Sequence, residues 1–229
     1  DKLLNIVSDI LTISSLETNQ EKTEITVVSI NKLIMDLIEQ YEQKAVEKTL
    51  TISASFALND RNGEIYTDKT KLTQIISNLI SNAIKFTNHG FIKVDYKLID
   101  DKLLFSVSDT GIGISFEARK YIFERFRQAD KSIQFDYGGI GLGLSIAKGF
   151  TELLGGQIWL ESELGKGSIF YFTIPYKPVH NIDIKKAIDK KGKENRIILI
   201  AEDEEINYLY LELILKKLTS KPKLKHTNI

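Results

Sequence analysis

The sequence predicts an α+β fold with helices gathered on one face of a mostly antiparallel sheet. Three observations carry that expectation. Strand and helix patterns do not alternate regularly along the 229 residues, which argues against a doubly wound sheet. Two strand-like runs, Phe91–Leu98 and Lys102–Ser108, are joined through Asp100-Asp101, the signature of a hairpin. The long helical patterns each carry a single apolar stripe, as a helix lying on a sheet requires.

The elements follow in order. Over residues 2–16, Leu3, Leu4, Val7, Ile10 and Leu11 recur at the spacing of an amphipathic helix. Glu24 to Val28 reads as a short strand, and Ser29 can cap a second helix that buries Leu33, Ile34, Leu37, Ile38, Tyr41 and Ala45. Thr49 to Phe56 alternates like a half-buried strand. A third helix is predicted from Asp68 to Phe86, followed by the hairpin. A short helix around Phe116–Phe126 and another from Gly141 to Leu154 come next. Strands at Gly156–Ser162 and Ser168–Ile174 close this region. Beyond a polar linker, Ile197–Ala201 reads as a continuous apolar strand and Glu205–Leu218 as a helix.

Composition narrows the chemistry. The absence of cysteine excludes a disulfide scaffold, a thiolate nucleophile and a cysteine-ligated zinc site. Three scattered histidines argue against a histidine metal cluster. No apolar run approaches the roughly 18 residues of a transmembrane helix, and no signal-peptide pattern opens the chain. Lysine and arginine balance aspartate and glutamate at 31 each, but only as a sum. Residues 1–176 carry a net charge of −4 and residues 177–229 a net of +4, a shift that marks a boundary at Pro175-Tyr176-Lys177-Pro178. The lysines beyond it lack interleaved aromatics, so they read as a solvated linker and not as a nucleic-acid surface. Eleven of the 14 glycines fall between Gly111 and Gly167, where they permit tight turns and close backbone approach to a ligand.

The chemistry-bearing residues begin on the third helix. Leu72, Ile75, Ile76, Leu79 and Ala83 form the stripe that faces the sheet, while Asn78, Asn82 and Lys85 share another edge. Amide oxygens there can join a magnesium shell, and the ammonium can balance triphosphate charge. A merely solvated helix edge fits the same three residues. Ser108-Asp109-Thr110-Gly111-Ile112-Gly113 then ends a strand with a carboxylate and two glycines. Such a carboxylate can accept a hydrogen bond from an adenine amine. Gly138-Gly139-Ile140-Gly141-Leu142-Gly143-Leu144 stands immediately before a helix, where backbone N–H groups form an anion site. It lacks the Gly-Lys-Ser/Thr of a P-loop, and no Gly-x-Gly-x-x-Gly occurs.

In order and spacing, the Asn-x-x-x-Asn helix, Asp-x-Gly-x-Gly, Ile122-Phe123-Glu124-Arg125-Phe126 and Gly-x-Gly-x-Gly-Leu resemble the N, G1, F and G2 boxes of sensor histidine kinases. Gly165-Lys166-Gly167-Ser168-Ile169-Phe170 looks like their third glycine box. The resemblance covers residues 24–175 and implies the Bergerat-type α/β sandwich of the GHKL superfamily, with ATP and Mg²⁺ as ligands. By that resemblance, Asn82 is the magnesium ligand, with Asn78 supporting the metal and phosphate end. Lys85 and Phe86 line the nucleotide, Asp109 selects adenine, and Gly111 and Gly113 make room for it. Gly139, Gly141, Leu142 and Gly143 shape the hinge and phosphate contacts of a lid at Arg127 to Tyr137. Ser168 belongs to the same cofactor set. Phe123 and Phe126 anchor the lid or simply pack in the core. Ile140 stands where the family often has threonine, which removes one possible hydroxyl contact.

Hydrolytic members of the superfamily place a glutamate four residues before the magnesium asparagine. Here that position is Asn78, an amide without useful basicity, which favours donating the γ-phosphoryl group to a protein side chain. The family's acceptor is a histidine on a preceding helix hairpin. Residues 2–11 look like the second helix of that hairpin, so residues 1–20 are expected to be its incomplete remainder. His89, His180 and His226 lie in a turn, the linker and the tail, and none replaces the acceptor. Arg196 to Glu204 resembles the first strand of a response-regulator receiver, with Glu202 and Asp203 as its acidic pair; an acidic helix start is the plainer reading. The expected organisation is therefore a catalytic domain at 24–176, a linker at 177–195 and a truncated receiver-like βα unit at 196–229. The expected whole is the catalytic part of a cytoplasmic hybrid sensor kinase, dimeric in its full form, that touches neither nucleic acid nor membrane. On its own, the chain is expected to bind Mg-ATP without phosphorylating itself. A hydrolytic ATPase of the same superfamily and a non-catalytic binding module are the alternatives.

Overall fold

Helix α3 (Lys69–Phe86) is the hub of the fold. In the computed structural model, which describes residues 2–125 and 141–180, its Leu72, Ile75, Ile76, Leu79 and Ile80 are fully buried. Around it the chain runs α1 (Lys2–Glu17), β1 (Thr26–Ser29), α2 (Ile30–Glu47), β2 (Leu50–Phe56) and β3 (Glu64–Thr67) before α3. After it come β4 (Gly90–Ile99), β5 (Lys102–Asp109), a 3₁₀ turn (Ala118–Lys120), α4 (Gly143–Leu153), β6 (Ile158–Glu163) and β7 (Gly167–Pro175). Gly139, Ile140, the expected lid and the receiver-like unit with Glu202 and Asp203 lie outside the described residues.

The main sheet has five strands in the order β2-β4-β5-β7-β6. Only the β2–β4 pair is parallel, in the register Leu50↔Gly90 to Phe56↔Tyr96, and the other pairs are antiparallel. The hairpin turns at Asp100, whose φ of 53° is one that aspartate tolerates comparatively well. Alternate residues of the central strands, Ile92, Val94, Leu103, Phe105, Val107, Phe170 and Phe172, bury themselves in the core that also takes the stripe of α3. Phe105 stacks on Phe172 with ring centroids 4.6 Å apart. Helices on one face of a mostly antiparallel sheet are thus the architecture expected from the sequence.

Four local expectations need correction. Ser29 does occupy the N-cap position of α2, but its side chain makes no capping bond; the Ile30 N–H donates instead to Gly63 O at 2.9 Å. Strand β3 was not foreseen, and it pairs with β1 in a separate two-stranded sheet. Residues 177–179, assigned to the linker by composition, still belong to the folded body. Tyr66 N–H donates to Lys177 O and Val179 N–H to Glu64 O, so this segment extends the β3 edge. The helix predicted around Phe116–Phe126 is only a 3₁₀ turn over its described part. Its apolar residues do not share a face: Ala118 and Ile122 enter the core, while Phe116 is exposed.

Candidate functional site

Both ends of α3 are secured, which fixes the edge bearing the predicted residues. Asp68 caps its start by accepting from Lys71 N–H at 3.0 Å. At the other end, the Lys48 ammonium donates to Ile84 O at 2.8 Å and Lys85 O at 3.1 Å, meeting carbonyls that the helix leaves unbonded. With the opposite stripe buried, Asn78, Asn82 and Lys85 are left half-buried on one edge. Lys85 Nζ lies 4.7 Å from the centre of the Phe86 ring.

Asn78 connects this edge to the glycine box. Its Nδ2 donates to Gly143 O at 3.0 Å, which orients the amide and leaves Oδ1 as an acceptor. Gly143 is the first residue of α4, and the first bond of that helix runs from Ile146 N–H to Leu142 O at 2.9 Å. The N–H groups of Gly143, Leu144 and Ser145 therefore precede any helical acceptor, and no side chain caps them from Leu142. Aligned amides of this kind form an anion site. Gly141 enters the turn with φ at 78°, a conformation that glycine adopts without steric cost.

The other end of the edge meets strand β5. Asp109 is the last residue of β5, opposite Ser168 of β7, and its Oδ1 accepts from Gly111 N–H at 2.8 Å. Burial pushes the Asp109 carboxyl above its usual value of 3.8, while the backbone amides of Gly111 and Ser168 pull it back. The loop after Asp109 is tied to α3, since Ile112 N–H donates to Phe86 O at 3.2 Å. A β-carbon on Gly111 would lie 2.5 Å from Phe86 O and 2.8 Å from Asp109 Oδ1, so glycine is required there. Gly113 is needed for another reason. Its φ is 68°, and a β-carbon would strike Glu163 O at 2.0 Å, so the space it leaves is filled by the β6–β7 turn. The Ser168 hydroxyl is likewise engaged within the protein, 2.9 Å from Ser162 Oγ.

The fold thus strings Gly143, Asn78, Asn82, Lys85, Phe86, Gly111 and Asp109 along one edge of α3. Phe86 lies eight positions after Asn78, about 12 Å along the helix axis. Phe123 meets Phe170 edge-on at 6.3 Å, so its ring packs on β7. Among the described residues no cluster of three acidic, histidine or cysteine side chains could hold a metal. A separate shallow depression of about 620 Å³ lies across the sheet margin, lined by Lys93, Asp95, Glu161 and Ile169 and reaching Asp109 and Ser168. The Thr87 hydroxyl beside Gly111 is buried without a hydrogen-bond partner, a feature that no sequence pattern signals.

Comparison with known proteins places this arrangement. Residues 67–178 match the family described as histidine kinase-, DNA gyrase B- and HSP90-like ATPases. The catalytic domain of histidine kinase ThkA superposes with a TM-score of 0.58 at 30% identity, covering 67% of this chain and 97% of that one. The chain belongs to the histidine-kinase catalytic-domain family. Within the family, full-length ShkA in complex with AMPPNP superposes with a TM-score of 0.70 at 33% identity over 78% of this chain and 37% of ShkA. The circadian input-output histidine kinase CikA of Synechococcus elongatus is 34% identical over 206 residues, 89% of this chain and 27% of CikA. The chain spans about a quarter of the length of the curated relatives it matches first. It carries an ATP-binding catalytic domain of the histidine-kinase type, and no helix among the described residues is long and apolar enough to cross a membrane.

Proposed function

We propose that this domain binds Mg-ATP along the α3 edge and donates the γ-phosphoryl group to a histidine on another segment, for relay to an aspartate of a receiver. The carrying observation is the Asn78–Gly143 bond, which holds the amide edge of α3 against the open N-terminus of α4. An anion seated on the α4 amides then lies beside Asn78 and Asn82, with Lys85 one turn further on. Their neutral amide oxygens suit Mg²⁺ in the company of water and phosphate oxygens, and the ion would supply charge neutralisation at the transferring group. Asp109, half-buried and bonded to Gly111 N–H, is the acceptor for an adenine amine. Gly139, Gly141, Leu142 and Gly143 form the phosphate loop in this reading, and Ser168 flanks the base.

Asn78 also argues for transfer to a protein over hydrolysis, because an amide cannot take a proton from water. The same reading assigns residues 1–20 to the second helix of a dimerisation and phosphoacceptor hairpin. It assigns 24–176, together with residues 177–179 on the β3 edge, to the catalytic domain, the stretch from there to 195 to a linker and 196–229 to the start of a receiver, with Glu202 and Asp203 as its acidic pair. The parent is then a hybrid kinase, dimeric through its hairpin, with this domain in the cytoplasm where ATP is supplied.

The test joins the phosphoacceptor helix of a related kinase to the N-terminus of this chain and supplies Mg-ATP. Acid-labile phosphohistidine on the added helix is expected, with none on the chain alone. Steady ADP release without an acceptor identifies a hydrolase instead, and failure to bind ATP identifies a non-catalytic module.

A further inference from the structure

We propose that Lys48 is a positioning residue for the nucleotide, its ammonium holding the last turn of α3 and through that turn aiming Lys85. The inference deepens the proposed function and rests on its assignment of Lys85.

The last helical bond of α3 runs from Thr87 N–H to Ala83 O at 3.0 Å. The carbonyls of Ile84, Lys85 and Phe86 lie beyond it, where a helix supplies no partner. Each is met from outside. Ile112 N–H donates to Phe86 O at 3.2 Å, and the Lys48 ammonium takes the other two, Ile84 O at 2.8 Å and Lys85 O at 3.1 Å. One side chain from another helix thus holds two of the three carbonyls, and it sets a positive charge at the negative end of the helix dipole. Helix ends fray, and a lysine stem is flexible. Bonding the carbonyl of Lys85 itself fixes the point from which that stem starts.

The fold sets Lys48 at this spot with some strain. Lys48 is the C-cap of α2, and the chain turns there into β2 through Thr49, whose φ of 56° is left-handed. A β-branched residue adopts that conformation only where its surroundings impose it. Here they do so on both sides. Thr49 N–H donates to Val46 O at 2.8 Å, and buried Leu50 registers with Gly90, the first residue of β4 and four positions after Phe86. The start of β2 therefore lies beside the exit of α3, and Lys48 faces the turn that carries Lys85 and Phe86. Lys85 Nζ already lies 4.7 Å from the centre of the Phe86 ring, so the two residues form one unit. With its ammonium on two carbonyls, Lys48 acts on a bound polyanion through Lys85.

A double-mutant cycle, read by calorimetric titration of the full chain with ATP, tests this. Lys85→Met should bind ATP about tenfold more weakly than wild type, the effect of one charged contact. Lys48→Met should lose part of that factor, about fivefold. In the Lys85→Met background it should add no further loss of affinity, while lowering the melting temperature as much as it does in wild type. Lys48→Arg, whose guanidinium also offers several donors, should keep the wild-type affinity. A merely structural role, or attraction of ATP by the Lys48 charge alone, gives the same loss in both backgrounds and overturns the proposal. If Lys48→Met does not fold, Lys48→Gln, which keeps a neutral donor, takes its place in the cycle. If Lys85→Met weakens ATP binding while Lys48→Met binds normally, the Lys48 inference fails alone; if Lys85→Met binds ATP normally, the Lys85 reading fails with it.

Discussion

The two ends of the α3 edge are built to different tolerances. At the base end, sheet, loop and helix close to within atomic contact, and a β-carbon on Gly111 would lie 2.5 Å from Phe86 O. At the phosphate end, two helices meet side by side, and a β-carbon on Gly143 would rest 3.6 Å from the Asn78 side chain, an ordinary contact. The difference matches what each end would recognise in the proposed function. A base is told from other bases by the placement of one or two hydrogen bonds, which demands a rigid frame. A polyphosphate is held by charge and by a set of amides, which tolerates a looser wall.

This contrast can be broken or sharpened by substitution. The largest effect should come from Asp109→Asn, which replaces an acceptor-only group with one that also donates. ATP affinity is expected to fall about a hundredfold or more, the loss expected when a charged hydrogen bond is broken and a donor left facing a donor. Unchanged calorimetry would remove the base end as assigned. Gly111→Ala should come next, lowering stability by about 1–3 kcal/mol through overpacking and weakening ATP binding with it. A melting temperature equal to wild type would show that the base end is less tight than its geometry. Asn82→Ala should leave the fold intact and abolish the dependence of ATP affinity on Mg²⁺; titrations with and without the ion should then coincide. The smallest effect belongs to Gly143→Ala. Its stability should stay within about 0.5 kcal/mol of wild type, because the position is helical and has room. A loss as large as that of Gly111→Ala would erase the distinction between the ends.

Much of this was legible in the amino-acid sequence. Helix α3 and its buried stripe could be read because eighteen residues sustain one period, and the hairpin could be read from two alternating runs around Asp100. Strand β3 could not, since four residues beside a polar loop make too short a pattern, and its partner β1 lies 35 residues or more away. The Phe116–Phe126 segment misled because its apolar residues serve different surfaces. At the site, spacing along α3 placed Asn78, Asn82 and Lys85 on one edge before any coordinates. Gly111 and Gly113 looked equivalent as letters, yet one borders Asp109 and the other packs on the β6–β7 turn. Thr87 was invisible for a related reason: an unpartnered hydroxyl is a property of the packed fold and has no pattern along the chain.

The burial of Asp109 has a consequence for anyone who would engineer this domain. Its carboxyl titrates above the usual 3.8, so the neutral acid is the form that suits the fold. As pH rises through that raised value, ionisation disfavours the folded state relative to the unfolded chain, and at neutral pH the group works against stability. Asp109→Asn should therefore melt at a higher temperature than wild type at pH 7, a difference that scanning calorimetry would show shrinking towards pH 3. A library screened only for heat resistance would enrich neutral residues at this position and return hardy proteins that, on the proposed assignment of Asp109, no longer read adenine. Any such screen needs nucleotide binding as a second filter.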